Sequence, residues 1–178
     1  MDYEIKFRDQ PEQRIASIRV KTTLNKVPEK TRQLLTEITE YLEPQGIEPK
    51  DDPVAIYYEV GSFLVDFEVG YPVAVEVVGN ERVKANTIPA GKVAYTEYEG
   101  PHIDIPEAHR AVHNWLHERD VKTTGDPARE VFRCDMRVLA EGEPCKAESV
   151  WPIVADAPLT RAERRRQQRE QQAATAKK

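Results

Sequence analysis

The chain carries one stretch of sequence twice, and this internal repeat limits the possible folds more than any other feature. Residues 14–58 and 92–132 align with each other, so that Val27-Pro28-Glu29 meets Ile105-Pro106-Glu107. A solenoid would need shorter and more numerous copies. The repeat therefore predicts a single domain with two halves that are related by a pseudo-twofold axis and meet along a seam.

Hydrophobic periodicity predicts the same order of elements in both copies. Apolar residues recur at helical spacing over Val27–Leu42 and again from Ile105 to Leu116, and alternation with a period of two predicts strands elsewhere. The predicted strands cover residues 15–20, 54–60, 64–69, 73–78, 83–87, 93–98, 128–134 and 147–154. We therefore predict an α+β fold, with about eight antiparallel strands and both long helices on one face of the sheet.

Charge divides the chain into an acidic domain, residues 1–157, and a basic, polar tail, residues 158–178. The last 18 residues carry 7 Lys or Arg and 2 Asp or Glu, although the whole chain has a net charge of −5. An acidic domain repels phosphate backbones, so we do not expect it to bind DNA directly. Thr160 and Glu163 fit a capping box that could begin a polar helix in the tail. The tail could contact protein or nucleic acid, although such charge runs are more often simply solvated.

The sequence predicts a cytoplasmic protein that does not cross a membrane. Its apolar runs fall far short of the ~18–20 residues that span a bilayer, and its first residues lack the layout of a signal peptide. Cys134 and Cys145 match no metal-binding spacing, and two cysteines make no disulfide scaffold. We expect reduced thiols, with Cys134 buried in a strand.

A series of motifs in the second copy resembles the GyrI-like family, which comprises the effector-binding domains of AraC- and MerR-type regulators and free-standing proteins. The motifs are Ile88-Pro89-Ala90-Gly91-Lys92-Val93-Ala94-Tyr95, Glu99-Gly100-Pro101, Ala108-His109-Arg110-Ala111, Trp115-Leu116, Pro127-Ala128-Arg129-Glu130-Val131-Phe132 and Val150-Trp151-Pro152-Ile153. The resemblance covers about residues 3–154. It implies two strand–helix–strand–strand units and a central groove that binds amphipathic, often aromatic and cationic compounds around a glutamate.

By its place in the family pattern, that glutamate is Glu130. The pattern also shows two departures. No DNA-binding module precedes the domain, so we expect a free-standing member rather than a self-contained regulator. His102 stands where many relatives carry an aromatic residue after Gly-Pro, which alters one wall of the implied site.

Glu130 is also singled out by the repeat, which aligns it with Ile56. We therefore expect Ala128, Glu130 and Phe132 to share a face that is apolar in the first copy. An ionised carboxylate there costs several kcal/mol unless it is paired, so it needs a donor or a cationic ligand. Burial would raise its pKa, and a bound cation would lower the pKa again. In the alternative interpretation the face is partly solvated and Glu130 pairs with an arginine.

Aromatic residues on or beside the strands supply rings that suit a cation or a planar ligand. They are Tyr57, Tyr58, Tyr71, Tyr95, Tyr98, Phe132 and Trp151. Ordinary core packing is the alternative for each one, and we favour it for Trp115 because it lies in the helical stripe. The predicted ligand-binding set is Glu130, Tyr58, Tyr95, Phe132 and Trp151.

Three histidines, His109, His113 and His117, recur every four residues on the second helix, a spacing at which neighbours can share a metal. They drift away from the apolar stripe, so we expect a solvated flank and neither a metal nor a cofactor. The sequence shows no nucleophile–base pair and no phosphate-binding glycine loop.

Three function hypotheses follow. The leading one is binding of small amphipathic, aromatic or cationic compounds with Glu130 as counter-charge, for sequestration or sensing. The resemblance also implies a hydrolase of strained electrophiles such as cyclopropanoid toxins, in which Glu130 would be catalytic. A third is a protein-inhibitor or interaction module, and haem binding is a minor option.

Overall fold

The computed structural model describes residues 3–140 and 142–155. The predicted tail, residues 158–178, and its capping box lie outside the described residues. The strands are β1 Lys6–Gln10, β2 Gln13–Thr23, β3 Val54–Val60, β4 Leu64–Pro72, β5 Lys84–Ile88, β6 Gly91–Pro101, β7 Ala128–Phe132 and β8 Pro144–Ile153, and the helices are α1 Val27–Leu42 and α2 Ile105–Glu118. Short 3₁₀ helices, Leu24–Lys26 and His102–Asp104, lead into α1 and α2.

The strands form one antiparallel sheet with the order β1-β6-β8-β7-β3-β4-β2-β5. The first unit contains β2, α1, β3 and β4, and the second contains β6, α2, β7 and β8. The two units meet where β3 pairs with β7, and each unit has one extra strand at its outer edge, so the order reads symmetrically about the β3–β7 seam. The predicted pseudo-twofold α+β architecture is confirmed.

Both helices pack on the same face of the sheet. Leu35 and Ile38 of α1 are fully buried against Phe67 and its neighbours, and Val112 of α2 is buried in a second cluster with Ala94. Each helix has a proline in its first turn, where the missing N–H has no partner to lose. A short 3₁₀ helix, Glu43–Gln45, follows α1 and ends at Gly46, whose φ of 66° favours glycine.

One predicted strand does not form, and β1 takes its place in the count of eight. Residues 73–78 lie in a loop, in which Val73 and Val77 are buried and Val75 is exposed. In a strand these three valines would all point to one face, so the exposure of Val75 between two buried residues does not fit a strand. The loop is held instead by side chains, because the Asn80 side chain accepts hydrogen bonds from two backbone N–H groups and Tyr41 donates to a carbonyl.

The predicted equivalence of Ile56 and Glu130 is wrong by one residue. Across the seam Glu130 lies opposite Ala55, and Ile56 lies opposite Arg129. Directly opposed residues point to the same face, and a slip of one residue moves a side chain to the other face. Glu130 therefore shares the helix-covered face with Ala128 and Phe132, as predicted, whereas Ile56 belongs to an apolar cluster on the opposite face.

The prediction of two reduced thiols is also wrong, because Cys134 and Cys145 form a disulfide with their Cα atoms 5.7 Å apart. Cys134 lies two residues after the end of β7 and is only partly buried. The β7–β8 pairing places Phe132 opposite Ala147, and one further backbone hydrogen bond, from Arg133 to Lys146, extends it. The same register sets the two cysteines opposite each other. Among the described helices, none is long and apolar enough to cross a membrane.

Candidate functional site

A cavity of about 840 Å³ opens between the amino-terminal ends of α1 and α2, above the β3–β7 seam. Both units contribute to its walls, which are mostly apolar. The lining residues are Leu24, Asn25, Val27, Pro28, Tyr57, Val60, Val65, His102, Ile103, Pro106, His109, Arg110, His113, Ala128, Glu130 and Trp151. The volume is within the range of sites for small organic ligands.

Glu130 lies at the base of this cavity and is 2% exposed. Its Oε2 accepts a hydrogen bond from the Tyr57 hydroxyl at 2.8 Å and lies 3.3 Å from Nε2 of His102, while its Oε1 lies 3.1 Å from Nε2 of His109. Burial raises the pKa of Glu130, but hydrogen bonds and charge from His102 and His109 outweigh burial and lower the pKa to about 2. The carboxylate is therefore ionised at neutral pH, which differs from the sequence-based expectation of a raised pKa.

The tautomers of the two histidines follow from their partners. Nδ1 of His102 is buried without a hydrogen-bond partner, so in the neutral form of the ring the proton lies on Nε2, facing the carboxylate. Nδ1 of His109 lies 2.8 Å from the hydroxyl of the buried Ser149. In the neutral ring Ser149 donates to Nδ1 and Nε2–H donates to Glu130, which fixes the orientation of the histidine.

The negative charge of Glu130 is stabilised by hydrogen bonds and is not matched by a strong base. Within the part of the chain that the structure describes, the only basic side chains within 4.0 Å of its carboxylate are His102 and His109. Arg110 also lines the cavity but is exposed on α2. The alternative interpretation, in which Glu130 is partly solvated and pairs with an arginine, does not agree with this geometry.

Aromatic rings surround the carboxylate. The indole of Trp151 lies against the imidazoles of His113, at 5.5 Å between ring centroids, and His109, at 6.1 Å. Tyr57 stacks on the buried Phe67, with centroids 5.8 Å apart, which holds its hydroxyl towards Glu130. A ligand in the cavity therefore meets one carboxylate and several ring faces and edges.

The structure brings only part of the predicted ligand-binding set together. Glu130 and Trp151 line the cavity, and Phe132 lies beneath it, fully buried, with its ring 5.1 Å from that of His102. Tyr58 and Tyr95 lie on the opposite face of the sheet. A bulge in β3 follows Tyr57, and Tyr58 donates to Glu68 at 2.6 Å. Tyr95 lies beneath the guanidinium of Arg8. The geometry does not support ligand-binding roles for these two tyrosines, because their positions in the strands direct both side chains away from the cavity.

Sequence reasoning missed Tyr57, His102 and His109 as neighbours of Glu130. Tyr57 belongs to the wider aromatic set, but the sequence does not give the strand register that sets its partner across the seam. The prediction that His109 lies on a solvated flank is wrong, since its side chain is only 16% exposed. Its position four residues after the buried Ile105 was the available signal, because that spacing keeps it beside the buried stripe. His113 and His117 are exposed.

A family model matches the chain, and several solved structures share its fold. The model of the GyrI-like small molecule binding domain matches residues 3–153. No curated protein matches the chain in sequence.

Among solved structures, EcmrR in its DNA complex has a TM-score of 0.74 and 16% identity, over 85% of this chain and 57% of the EcmrR chain. The chain thus spans little more than half of that protein. The C-terminal domain of EcmrR alone gives 0.70 and 16%, over 86% of this chain and 99% of that domain.

Two further structures share the fold. SAV2435 bound to tetraphenylphosphonium has a TM-score of 0.60 at 10% identity, over 87% of this chain and 95% of that protein. A hydrolase from Listeria innocua has a TM-score of 0.56 at 10% identity, over 85% and 92%. Identities this low show a common fold alone.

Proposed function

Because the chain belongs to the GyrI-like small molecule binding domain family, we propose that its cavity binds small amphipathic, aromatic cations with Glu130 as their counter-charge. The observation that carries this proposal is a 2%-exposed carboxylate, ionised and hydrogen-bonded, at the base of a largely apolar cavity. Its negative charge attracts a cation, repels an anion and gains no charge–charge attraction from a neutral compound.

The physical chemistry favours an organic cation over a metal ion or an amine. A delocalised or quaternary cation has a weak hydration shell, so its transfer into an apolar cavity costs less than that of a metal ion or an ammonium group, and burial strengthens its attraction to the carboxylate. The ring of Trp151 adds a cation–π contact, worth ~2 kcal/mol where water is excluded. The apolar walls bury the aromatic or aliphatic part of the ligand.

One protein of the same fold supports the ligand class, and another supports a role in sensing. SAV2435 has the same fold and is bound to tetraphenylphosphonium, a lipophilic aromatic cation. EcmrR, which resembles this chain through its C-terminal domain, is a DNA-bound protein. The binding domain would then serve either sequestration of a compound or sensing on behalf of a regulator.

The test is a calorimetric titration with tetraphenylphosphonium of wild type and of two matched variants. Glu130→Gln removes the charge in the cavity and should weaken binding at least tenfold. Glu68→Gln removes a second buried carboxylate, which lies on the opposite face and is bonded to Ser17, Tyr58 and Asn86. It should leave the affinity unchanged. Equal affinities of wild type and Glu130→Gln would show that the counter-charge role is wrong.

The hydrolase hypothesis receives less support from the geometry. It needs Glu130 to exchange a proton near neutral pH, which favours a pKa near 7, whereas its pKa is lowered to about 2. His109 is no obvious replacement as a base, because both of its ring nitrogens face protein partners. Turnover of a strained electrophile that is lost in Glu130→Gln would nevertheless establish it.

A further inference from the structure

The mouth of the cavity carries an apolar rim, which we define as Leu24, Val60, Phe63 and Ile103. These side chains are exposed by 37%, 60%, 70% and 54%. Single exposed apolar residues are common, but a group of them beside a binding cavity indicates a contact surface. Three of the four, Leu24, Val60 and Ile103, also line the cavity, so the rim continues its inner wall outwards.

The rim is built by both units. Phe63 lies in the β3–β4 turn, and its carbonyl accepts a hydrogen bond of 3.1 Å from the backbone N–H of Leu24. Val60 pairs with Val65, which lies deeper in the cavity wall. Ile103 comes from the second unit, next to His102, which contacts Glu130. An apolar path therefore leads from the carboxylate to the surface.

We propose that the natural ligand class is an extended amphipathic cation, with its cationic head at Glu130 and a long apolar chain that leaves the cavity along the rim. This inference rests on the proposed function and adds the shape of the ligand to it. Only a chain that is tethered to a head group in the cavity uses the carboxylate and the rim together. A compact cation such as tetraphenylphosphonium would leave Phe63 untouched.

The size of the rim argues against a second copy of the protein as its occupant. A stable interface buries about 800 Å² on each partner, and four partly exposed side chains present much less. An alkyl chain, by contrast, needs only a narrow apolar strip. Each methylene that leaves water should tighten binding about fourfold, the factor that corresponds to ~0.8 kcal/mol.

The experiment titrates alkyltrimethylammonium ions of increasing chain length, below their micelle concentrations, with tetraphenylphosphonium as the compact reference. In wild type the affinity should keep rising with chain length beyond the length that the cavity itself encloses. Phe63→Ser should weaken the longest members about tenfold and leave the short ones and tetraphenylphosphonium within twofold. Val78→Ser, a substitution at a similarly exposed valine in the loop after β4, is the control and should change nothing.

The outcomes separate this inference from the proposed function. Suppose that tetraphenylphosphonium binds, but that Phe63→Ser and wild type have the same affinity for alkyltrimethylammonium ions of every length. The rim then does not bind the alkyl chain, and the inference is overturned. If Phe63→Ser instead alters dimerisation or adsorption to vesicles, the rim belongs to another partner, which also overturns it. Failure of every cation to bind wild type would remove the proposed function itself. Glu130→Gln should weaken all chain lengths by one common factor, because the head group is the same throughout.

Discussion

Two of the buried glutamates, Glu68 and Glu130, lie on opposite faces of the sheet and differ in whether a ligand could reach them. Glu68 accepts hydrogen bonds from Ser17, Tyr58 and Asn86 in a packed setting. Glu130 accepts them from Tyr57, His102 and His109, but beside a cavity. Hydrogen bonds alone can stabilise a buried carboxylate, and they leave its net charge in place. That charge can act on a ligand only where there is space for one, which is at Glu130.

Acid titration should reveal the ionised state of Glu130. Its pKa in the folded protein is about 2, below the ordinary value of 4.5. A carboxylate with a lowered folded-state pKa contributes stability that is fully present above the unfolded pKa and is lost as the pH falls towards the folded pKa. The difference corresponds to about 3 kcal/mol. Other carboxylates with lowered pKa values, such as Glu148, lose stability in the same pH range. We therefore expect urea denaturation to show a loss between about pH 5 and 2 that is larger in wild type than in Glu130→Gln by about this amount. Parallel pH profiles for the two proteins would contradict the lowered pKa.

The Tyr57 hydroxyl should be part of the support for that charge. Burial, together with the charge of Glu130, raises the pKa of Tyr57 well above its ordinary value, so the hydroxyl stays protonated and donates. Tyr57→Phe leaves the buried carboxylate short of one donor and should cost about 1–3 kcal/mol in the free energy of unfolding at neutral pH. It should also move the acid-induced loss to higher pH, because the pKa of Glu130 rises.

Tyr58→Phe is the matched control, since it removes a neighbouring hydroxyl that donates to Glu68. It should lower stability without moving the part of the pH profile that depends on Glu130. Identical profiles for the two tyrosine variants would show that Tyr57 does not support Glu130.

At the scale of elements, patterns within one segment of sequence predict the helices correctly. They do not predict features that depend on how two strands pair. The α1 boundaries agree with the prediction, because Pro28 and the apolar stripe are features of one segment. The face of Ile56 and the sites of Tyr58 and Tyr95 depend on register and on a bulge in β3, which no single segment reveals. The disulfide could not be predicted for the same reason, since residues 134 and 145 become neighbours only when β7 pairs with β8.

The disulfide should stabilise the connection between β7 and β8. It closes a loop with a sequence separation of 11, for which the entropy of loop closure gives ~3 kcal/mol. Replacing both cysteines by serine should therefore lower the free energy of unfolding by about that amount and remove its dependence on reductant. Cation affinity should not change, because neither cysteine lines the cavity. Titration of two free thiols in unreduced, denatured protein would contradict the bond and restore the sequence-based expectation.

At the scale of the whole molecule, the chain interlocks its two units. The amino-terminal strand β1 pairs with β6 and completes the second unit, whereas β5, which follows the first unit, pairs with β2 and completes the first. The sheet is continuous across the seam, and the cavity takes walls from both sides. Neither unit has a complete sheet or a complete site without the rest of the chain, so binding and folding should be properties of the whole domain.

This interlocking predicts that a destabilising substitution in the first unit also lowers the stability of the second. Ile38 of α1 is fully buried in the first unit, and Ile38→Ala should cost about 2–5 kcal/mol through the lost contacts and the cavity left behind. The chain has two tryptophans, Trp115 and Trp151, and both lie in the second unit. Their fluorescence should therefore report the same lowered denaturation midpoint as far-ultraviolet circular dichroism does, since a cooperative domain unfolds in one step. If Ile38→Ala lowers the midpoint seen by circular dichroism and leaves that of the tryptophans unchanged, the units unfold independently and the cavity between them is not built as one cooperative structure.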